Sequence, residues 1–269
     1  MKTPGYFLLS MIISFAFNGL AQTTSSKNKS KKTLVWRDEF KGKGLPDSTK
    51  WGYEEGFIRN RESQYYTRAR LENCYIKGGK LILESIKEKY KNAEYTSASI
   101  NTLGKQQFEG DFRIEIRAKI PSGKGIWPAL WMMGSNMKQV GWPKCFEFDI
   151  MEFVGKEPNT IHGTFHWWEP DTDQSKQHKS KGSRIMFDDL HKKYHIYGLE
   201  RRGDTAIVFV DDKVFFTMAA PANAFKDSFT SPVYLLMNTA VGGEWGGLID
   251  DSIFPQKFYI DYVRVFKLE

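Results

Sequence analysis

The chain has 269 residues, 41% hydrophobic and 15% aromatic, with a formal charge of +7 and two cysteines. That length accommodates one large domain, and all-β sandwiches of this size are commonly single domains. Two cysteines cannot build a disulfide framework, and no Lys/Arg-dense segment with interleaved aromatics supports nucleic-acid binding.

The N-terminus carries Lys2, an apolar run Phe7–Phe17, and then Gly19-Leu20-Ala21 before Gln22. Small residues at the −3 and −1 positions predict a signal peptide over residues 1–21. The run is shorter than the roughly 20 residues a bilayer span needs, so the expectation is an exported protein, periplasmic or extracellular, with no membrane attachment after cleavage. Residues 22–33 read as a polar linker holding Lys27, Lys29, Lys31 and Lys32. A single domain is expected over 34–269.

Strand signals then recur to the end of the chain. Leu34–Phe40 opens the domain, and Cys74–Lys77 and Lys80–Lys87 flank the hairpin turn Gly78-Gly79. Phe112–Ile120 alternates without a break, with Phe112, Ile114, Ile116, Ala118 and Ile120 on one face and charged residues on the other. Gly125–Met133, Glu147–Glu152, Thr160–Trp168, Tyr194–Arg201, Thr205–Val210, Lys213–Met218, Pro232–Ala240 and Lys257–Lys267 follow. Ala219–Phe225 reads as one short turn of helix. Lys176, Lys179 and Lys181 around His178 read as a solvated loop. The fold class is all-β: an antiparallel two-sheet β-sandwich with a concave polar cleft on one sheet. Eight Trp, twelve Tyr and twenty Phe either fill an aromatic-rich core or offer flat surfaces on which sugar rings stack.

The stretch Glu147-Phe148-Asp149-Ile150-Met151-Glu152 carries the chemistry. In a strand, Glu147 and Asp149 share a face while Phe148 and Ile150 take the other. Glu152 falls at odd spacing from Glu147, and one extra residue near Ile150-Met151, a β-bulge, returns it to the acidic face. With the bulge the two glutamates stand about four strand steps apart, roughly 13 Å at Cα. Mutual repulsion raises the cost of ionising all three, so one can stay protonated as a general acid while another acts as nucleophile. The other reading is a calcium-binding or structural carboxylate cluster. Cys74 and Cys145 are either buried free thiols or a pair. Cys145 has no histidine near it in sequence to activate it as a nucleophile.

The E-x-D-x-x-E pattern of these six residues resembles the active-site signature of glycoside hydrolase family 16, in the bulged form of its laminarinase-like branch. Asn60–Thr67, Phe108–Pro121, Gly125–Trp131, Gly163–Trp167, Val241–Trp245 and Tyr259–Val265 resemble other segments of that family in the same order, so the resemblance spans about residues 34–268. It implies a β-jelly roll, Glu147 as nucleophile, Glu152 as acid/base and Asp149 as the group that sets their ionisation. It further implies substrate contacts from Asn60, Glu62, Trp127, Trp131, His166 and Trp245. It also implies a possible structural calcium held by Asp261 with backbone carbonyls near Glu39 and Gly79.

Each implied role has a plainer alternative: core packing for Trp127 and Trp131, a structural hydrogen bond for His166, and a salt bridge to an arginine for Asp261. Two departures stand out. Phe146 sits where the family often has glycine and is expected to crowd the cleft. Glu200-Arg201 replaces a common Glu-Trp pair.

The expected activity is endo-acting, retaining hydrolysis of internal β-1,3 bonds in laminarin-type β-glucan by a monomer that needs no organic cofactor. Mixed-linkage β-glucan or a sulfated algal galactan are alternative substrates, and a non-catalytic carbohydrate-binding jelly roll is the alternative of another class.

Overall fold

The computed structural model describes residues 31–269. The expected signal peptide and most of the expected linker lie outside them. In chain order the strands are β1 (Lys32–Asp38), β2 (Gly52–Tyr53), β3 (Gln64–Tyr66), β4 (Cys74–Ile76), β5 (Leu81–Tyr90) and β6 (Ala93–Ser97). Next come β7 (Ser99–Asn101), β8 (Phe112–Lys119), β9 (Ile126–Gly134), β10 (Glu147–Glu152), β11 (Thr160–Trp168) and β12 (His178–Met186). The last five are β13 (His195–Arg202), β14 (Thr205–Val210), β15 (Lys213–Ala219), β16 (Val233–Val241) and β17 (Gln256–Leu268). Two short helices, α1 (Met137–Val140) and α2 (Gly243–Gly246), flank the cleft described below. No helix among the described residues is long and apolar enough to cross a membrane.

The strands form the expected two-layer antiparallel sandwich. One sheet runs β15-β14-β13-β8-β17-β5-β6-β3, with β1 added on β17 and β4 on β5; the other runs β12-β11-β10-β9-β16-β7-β2. The long β17 joins the first sheet together, pairing with β5 through Gln256–Ile260 and with β8 through Tyr259–Lys267. Alternation dictates the packing. Phe112, Ile114, Ile116 and Ala118 of β8 face the core, where they meet Phe148, Ile150 and Phe165 of the opposite sheet. β9 and β16 are buried at every position. Their one face meets the core and their other face floors the cleft, so they read as continuous apolar runs rather than alternating ones.

Two local expectations are corrected. Ala219–Phe225 forms no helix: it makes one local turn, Ala224 N–H to the Pro221 carbonyl at 3.1 Å, while its two ends bond to neighbouring elements. Ala220 donates to the Asp204 carbonyl at 2.6 Å and Phe225 to the Trp168 carbonyl at 3.1 Å. The lysine-rich stretch around His178 is not a loop. It is β12, the outermost strand of the cleft sheet, paired with β11 over nine residues. An edge strand exposed on both faces carries no hydrophobic alternation to betray it. Cys74 and Cys145 are free and buried. Burial pushes both thiols up to about 12, which removes Cys145 as a nucleophile.

Of the Glu200-Arg201 pair, Glu200 binds Arg113 and Arg202 on the outer face of the first sheet. Arg201 points inward and is 1% exposed. Its guanidinium donates to the carbonyls of Gly110, Phe229 and Ser231 and stands 4.9 Å above the Phe112 ring. Burial pulls it down to about 10, so it stays charged at neutral pH without an ion-pair partner among the described residues. It ties the end of β13 to the two loops beside it. Replacing it with Met fills the volume but orphans three carbonyls. Arg201→Met is expected to lower stability by about 2–4 kcal/mol, read as a shifted urea midpoint with an unchanged slope.

Candidate active site

The register of β10 explains how three acids reach one face. Against β9, Asp149 pairs with Trp131 and Glu152 with Ala129, and the register slips between Asp149 and Met151. Against β11, Glu147 faces His166 and Glu152 faces His162, four steps of β11 against five steps of β10. The extra residue is the expected bulge. It turns both Ile150 and Met151 into the core and returns Glu152 to the side of Glu147 and Asp149. Gly134, at the end of β9, allows the approach to β10: a Cβ there would lie 2.0 Å from the Cys145 carbonyl oxygen.

Phe146 does not crowd the cleft. It adopts a left-handed backbone, φ 68°, and is fully buried on the core side. Its ring lies 4.6 Å from Phe148, 5.2 Å from Phe229 and parallel to Trp167 at 6.2 Å. Position 146 has the same parity as 148, so a side chain there points away from Glu147 by the same alternation that buries Phe148.

The acids line an open cleft of about 340 Å³ with Asn60, Glu62, Trp127, Trp131, Met133, Trp142 and Asn238 among its walls. At one end Trp127 Nε1 donates to Glu152 Oε1 at 3.1 Å. Trp245, carried on α2, packs edge-on to Trp127 at 5.3 Å and to His162 at 5.0 Å. At the other end Trp142 Nε1 donates to Glu147 Oε2 at 2.7 Å while remaining 48% exposed.

Between them the floor is a buried polar chain. Trp131 Nε1 donates to Asn238 Oδ1 at 2.8 Å, and Asn238 Nδ2 donates to the Tyr66 hydroxyl at 2.9 Å. Tyr66 in turn donates to Glu62 Oε2 at 3.1 Å. Gln64 and Asn60 also donate to Glu62, at 2.7 and 3.2 Å. Arg59 pairs with Glu54 and stacks 4.9 Å over Trp131, covering one face of that indole. His166 places Nε2 3.3 Å from Asp149 Oδ2.

Electrostatics separates the three acids. Burial pushes all of them up. Glu152 is raised well above the usual carboxylate range, by burial first and then by the charges of Asp149 and Glu147. Glu147 is raised to about 8 by burial and Asp149, against the pull of His166, the Trp142 hydrogen bond and Arg59. Asp149, 3% exposed, is raised by burial first, with the adjacent Glu147 side chain easing the shift. Both glutamates are thus pushed toward the protonated form, Glu152 under the load of two neighbouring acids and Glu147 with part of its load relieved by Trp142 and Arg59.

The site therefore holds catalytic candidates Glu147, Asp149 and Glu152 together with Asn60, Glu62, Trp127, Trp131, His166 and Trp245. It also recruits Tyr66, from the Asn60–Thr67 segment, and Arg59, Trp142, His178 and Asn238, which no motif announced. Trp142 carried the best signal, an aromatic beside a proline five residues before the first acid.

At the positions named for a possible calcium, the side chains of Asp261 and Glu39 make ion pairs. Asp261 is bound by Arg117 and has Lys80 Nζ at 3.7 Å. Glu39 is gripped by Arg264 through two bonds of 2.9 and 3.0 Å. The carbonyl of Gly78, next to Gly79 in the turn, accepts from Lys80 Nζ at 3.3 Å. The Asp261 side chain makes the arginine salt bridge of the plainer alternative. Among the described residues one trio of possible ligands has its atoms within 4.8 Å of one another, Glu147, Asp149 and His166, and it belongs to the catalytic candidates.

A carboxyl raised on folding stabilises the protein below the ordinary carboxylate range, and that contribution is lost as pH rises through the folded value. For Glu147 the window runs from the model-compound value of 4.5 to about 8. The neutral isostere Glu147→Gln escapes this loss. Its melting temperature is expected to match wild type near pH 4 and to exceed it by about 2–4 °C at pH 8, by differential scanning fluorimetry.

The profile of Glycosyl hydrolases family 16 matches residues 62–264. A beta-glucanase from Rhodothermus marinus is 38% identical over 97% of this chain and 93% of its own. The solved laminarinase from Rhodothermus marinus superposes with a TM-score of 0.82 at 38% identity, covering 90% of this chain and 99% of that one. A LamA variant from Zobellia galactanivorans, in complex with laminaritriose and laminaritetraose, superposes with a TM-score of 0.79 at 34% identity, covering 87% and 99%. With its bulged E-x-D-x-x-E strand set in this jelly-roll sandwich, the chain belongs to glycoside hydrolase family 16.

Proposed function

We propose that the protein is an exported, endo-acting, retaining glycoside hydrolase that cuts internal β-1,3-glucosidic bonds of laminarin-type β-glucan. The observation that carries this is the placement of Glu147 and Glu152 on one strand face, both raised by burial, with Glu152 loaded further by the charge of Glu147 and Glu147 partly relieved by Trp142 and Arg59. The β-1,3 preference rests on the similarity to laminarinases, one of them holding laminari-oligosaccharides.

In this reading Glu152 gives its proton to the glycosidic oxygen as that bond breaks. Glu147, aimed by Trp142, attacks the anomeric carbon and forms a glycosyl ester. Glu152, now a carboxylate, takes a proton from water. The resulting hydroxide adds to the anomeric carbon and displaces Glu147, restoring both acids and the β configuration. Asp149 lies beside Glu147 and its charge opposes ionisation of the nucleophile, so the ionisation of the two is linked. Trp127 and Trp245 flank the acid, and the exposed face of Trp142 flanks the nucleophile. Aromatic faces at both ends of an open cleft suit a polymer that continues past the cut on either side.

Laminarin, barley glucan, agarose and carrageenan form the discriminating panel. Laminarin is expected to be cut fastest, releasing mixed oligosaccharides of the β anomer as seen by proton NMR within the first minutes. Glu152→Ala is expected to lose about 10²–10⁴-fold in kcat, and Glu147→Ala to lose all detectable turnover. Unchanged sugar release by either variant refutes the assignment, and α-anomeric first product refutes retention.

A further inference from the structure

His166 has two ring nitrogens with different neighbours. Nε2 faces Asp149 Oδ2 at 3.3 Å, and Nδ1 lies 2.9 Å from Nε2 of His178. Asp149 Oδ2 is buried and has no well-aligned donor, so the group that can serve it is His166 Nε2 carrying its hydrogen. A neutral imidazole has one hydrogen. If it sits on Nε2, then Nδ1 is a bare acceptor and needs a donor of its own. His178 Nε2–H is in position to provide it.

The sheet builds this contact. His178 lies opposite Trp168 in the β11–β12 register, two positions along from the partner of His166. Directly opposite residues share a face, and diagonal neighbours on that face are within reach of long side chains. The two imidazoles lie nearly parallel, 26° apart with centroids at 5.1 Å. Trp142 closes the arrangement from above, 4.5 Å from the His178 ring, while its own Nε1 holds Glu147. One indole therefore braces the outer histidine and aims the nucleophile together. Burial and the neighbouring His166 hold His178 below the usual imidazole range, so at neutral pH it is an uncharged ring with one hydrogen to give.

We propose that His178 is a positioning residue. By donating from Nε2 to His166 Nδ1 it fixes the tautomer in which His166 presents Nε2–H to Asp149. An outer ligand that fixes the tautomer of an inner histidine is the arrangement by which many sites orient an imidazole. Its effect on rate rests on the function proposed above: a hydrogen bond from His166 offsets the Asp149 charge that otherwise opposes ionisation of Glu147 beside it. His178 itself touches neither substrate nor the reacting carboxyls.

The test uses full-length protein labelled with ¹⁵N-histidine, wild type, His178→Ala and His178→Gln, with long-range ¹⁵N–¹H correlation at neutral pH and kinetics on laminarin. A His166→Gln sample assigns the His166 ring among the five histidines of the chain. Wild type is expected to show His166 with a protonated Nε2 and a bare, hydrogen-bonded Nδ1. In His178→Ala the His166 nitrogens are expected to move toward averaged values, with kcat reduced about tenfold and KM unchanged. His178→Gln, which keeps an N–H donor, is expected to recover both the tautomer and most of kcat.

A wild-type His166 protonated on Nδ1 overturns the proposal, as does His178→Ala with ring shifts unaltered. A changed tautomer with unchanged kcat overturns the role in the reaction. If the wild type failed to cut laminarin, the functional reading would fall, while the nitrogen shifts would still decide the pairing of the two histidines.

Discussion

Everything in this molecule turns on keeping three carboxylates on the same side of one strand. Their repulsion and desolvation oppose folding, so the strand has to be anchored by its other side. Phe148, Ile150 and Met151 supply that anchor by burying completely in the aromatic core, where Phe165 and Phe229 meet Phe148 and Phe216 backs Phe165. The bulge makes the trade possible. Two consecutive residues, Ile150 and Met151, go inward, so β10 gains an extra buried side chain at the point where Glu152 is turned to the cleft.

The cleft then divides labour among chemically similar groups by surroundings alone. Asp149 opposes the ionisation of both glutamates and His166 favours it in both, and each has an indole donor; the difference is the charge of Glu147 acting on Glu152 and Arg59 acting on Glu147. Arg59 contributes because Glu54 and the Trp131 face hold it in place despite its burial. The floor beneath uses a relay of neutral donors, Trp131, Asn238 and Tyr66, ending on Glu62, whose carboxyl is raised by burial against the pull of Arg59 and its three hydrogen bonds. Fully partnered polar groups of this kind are rigid, and rigidity is what a site needs if small differences in field are to set proton positions.

How far the sequence reveals this depends on whether a residue obeys a local period. The alternation of Phe112–Ile120 and the odd spacing of Glu152 are one-dimensional facts, and they predict strand β8 and the bulge. The continuous apolar runs of β9 and β16 are legible as buried strands, though not which half of each run floors the cleft. Phe146 is misjudged when compared with a family pattern and placed correctly by parity with Phe148. The missed participants come from separate segments. Arg59 sits before β3, Trp142 follows α1, and His178 is on a strand without apolar residues to mark it. Their meeting is a property of register between β9, β10, β11 and β12, which no single segment carries. The ion pairs of Asp261 are hidden from local reading in the same way: Arg117 and Lys80 approach it from β8 and the β4–β5 turn.

The position of β12 at the rim of its sheet has an evolutionary consequence. Lys179 and Lys181 keep that edge charged, which discourages another chain from pairing with it, and most of its side chains are exposed. Substitutions there leave no cavity behind, whereas changes at Phe148 or Ile150 do. A strand that touches the acids through a histidine, yet contributes little to the core, can drift in sequence while the fold stays intact. Relatives of this enzyme can thus retune the resting state of their nucleophile from the periphery, one exposed residue at a time, without renegotiating the packing that holds it.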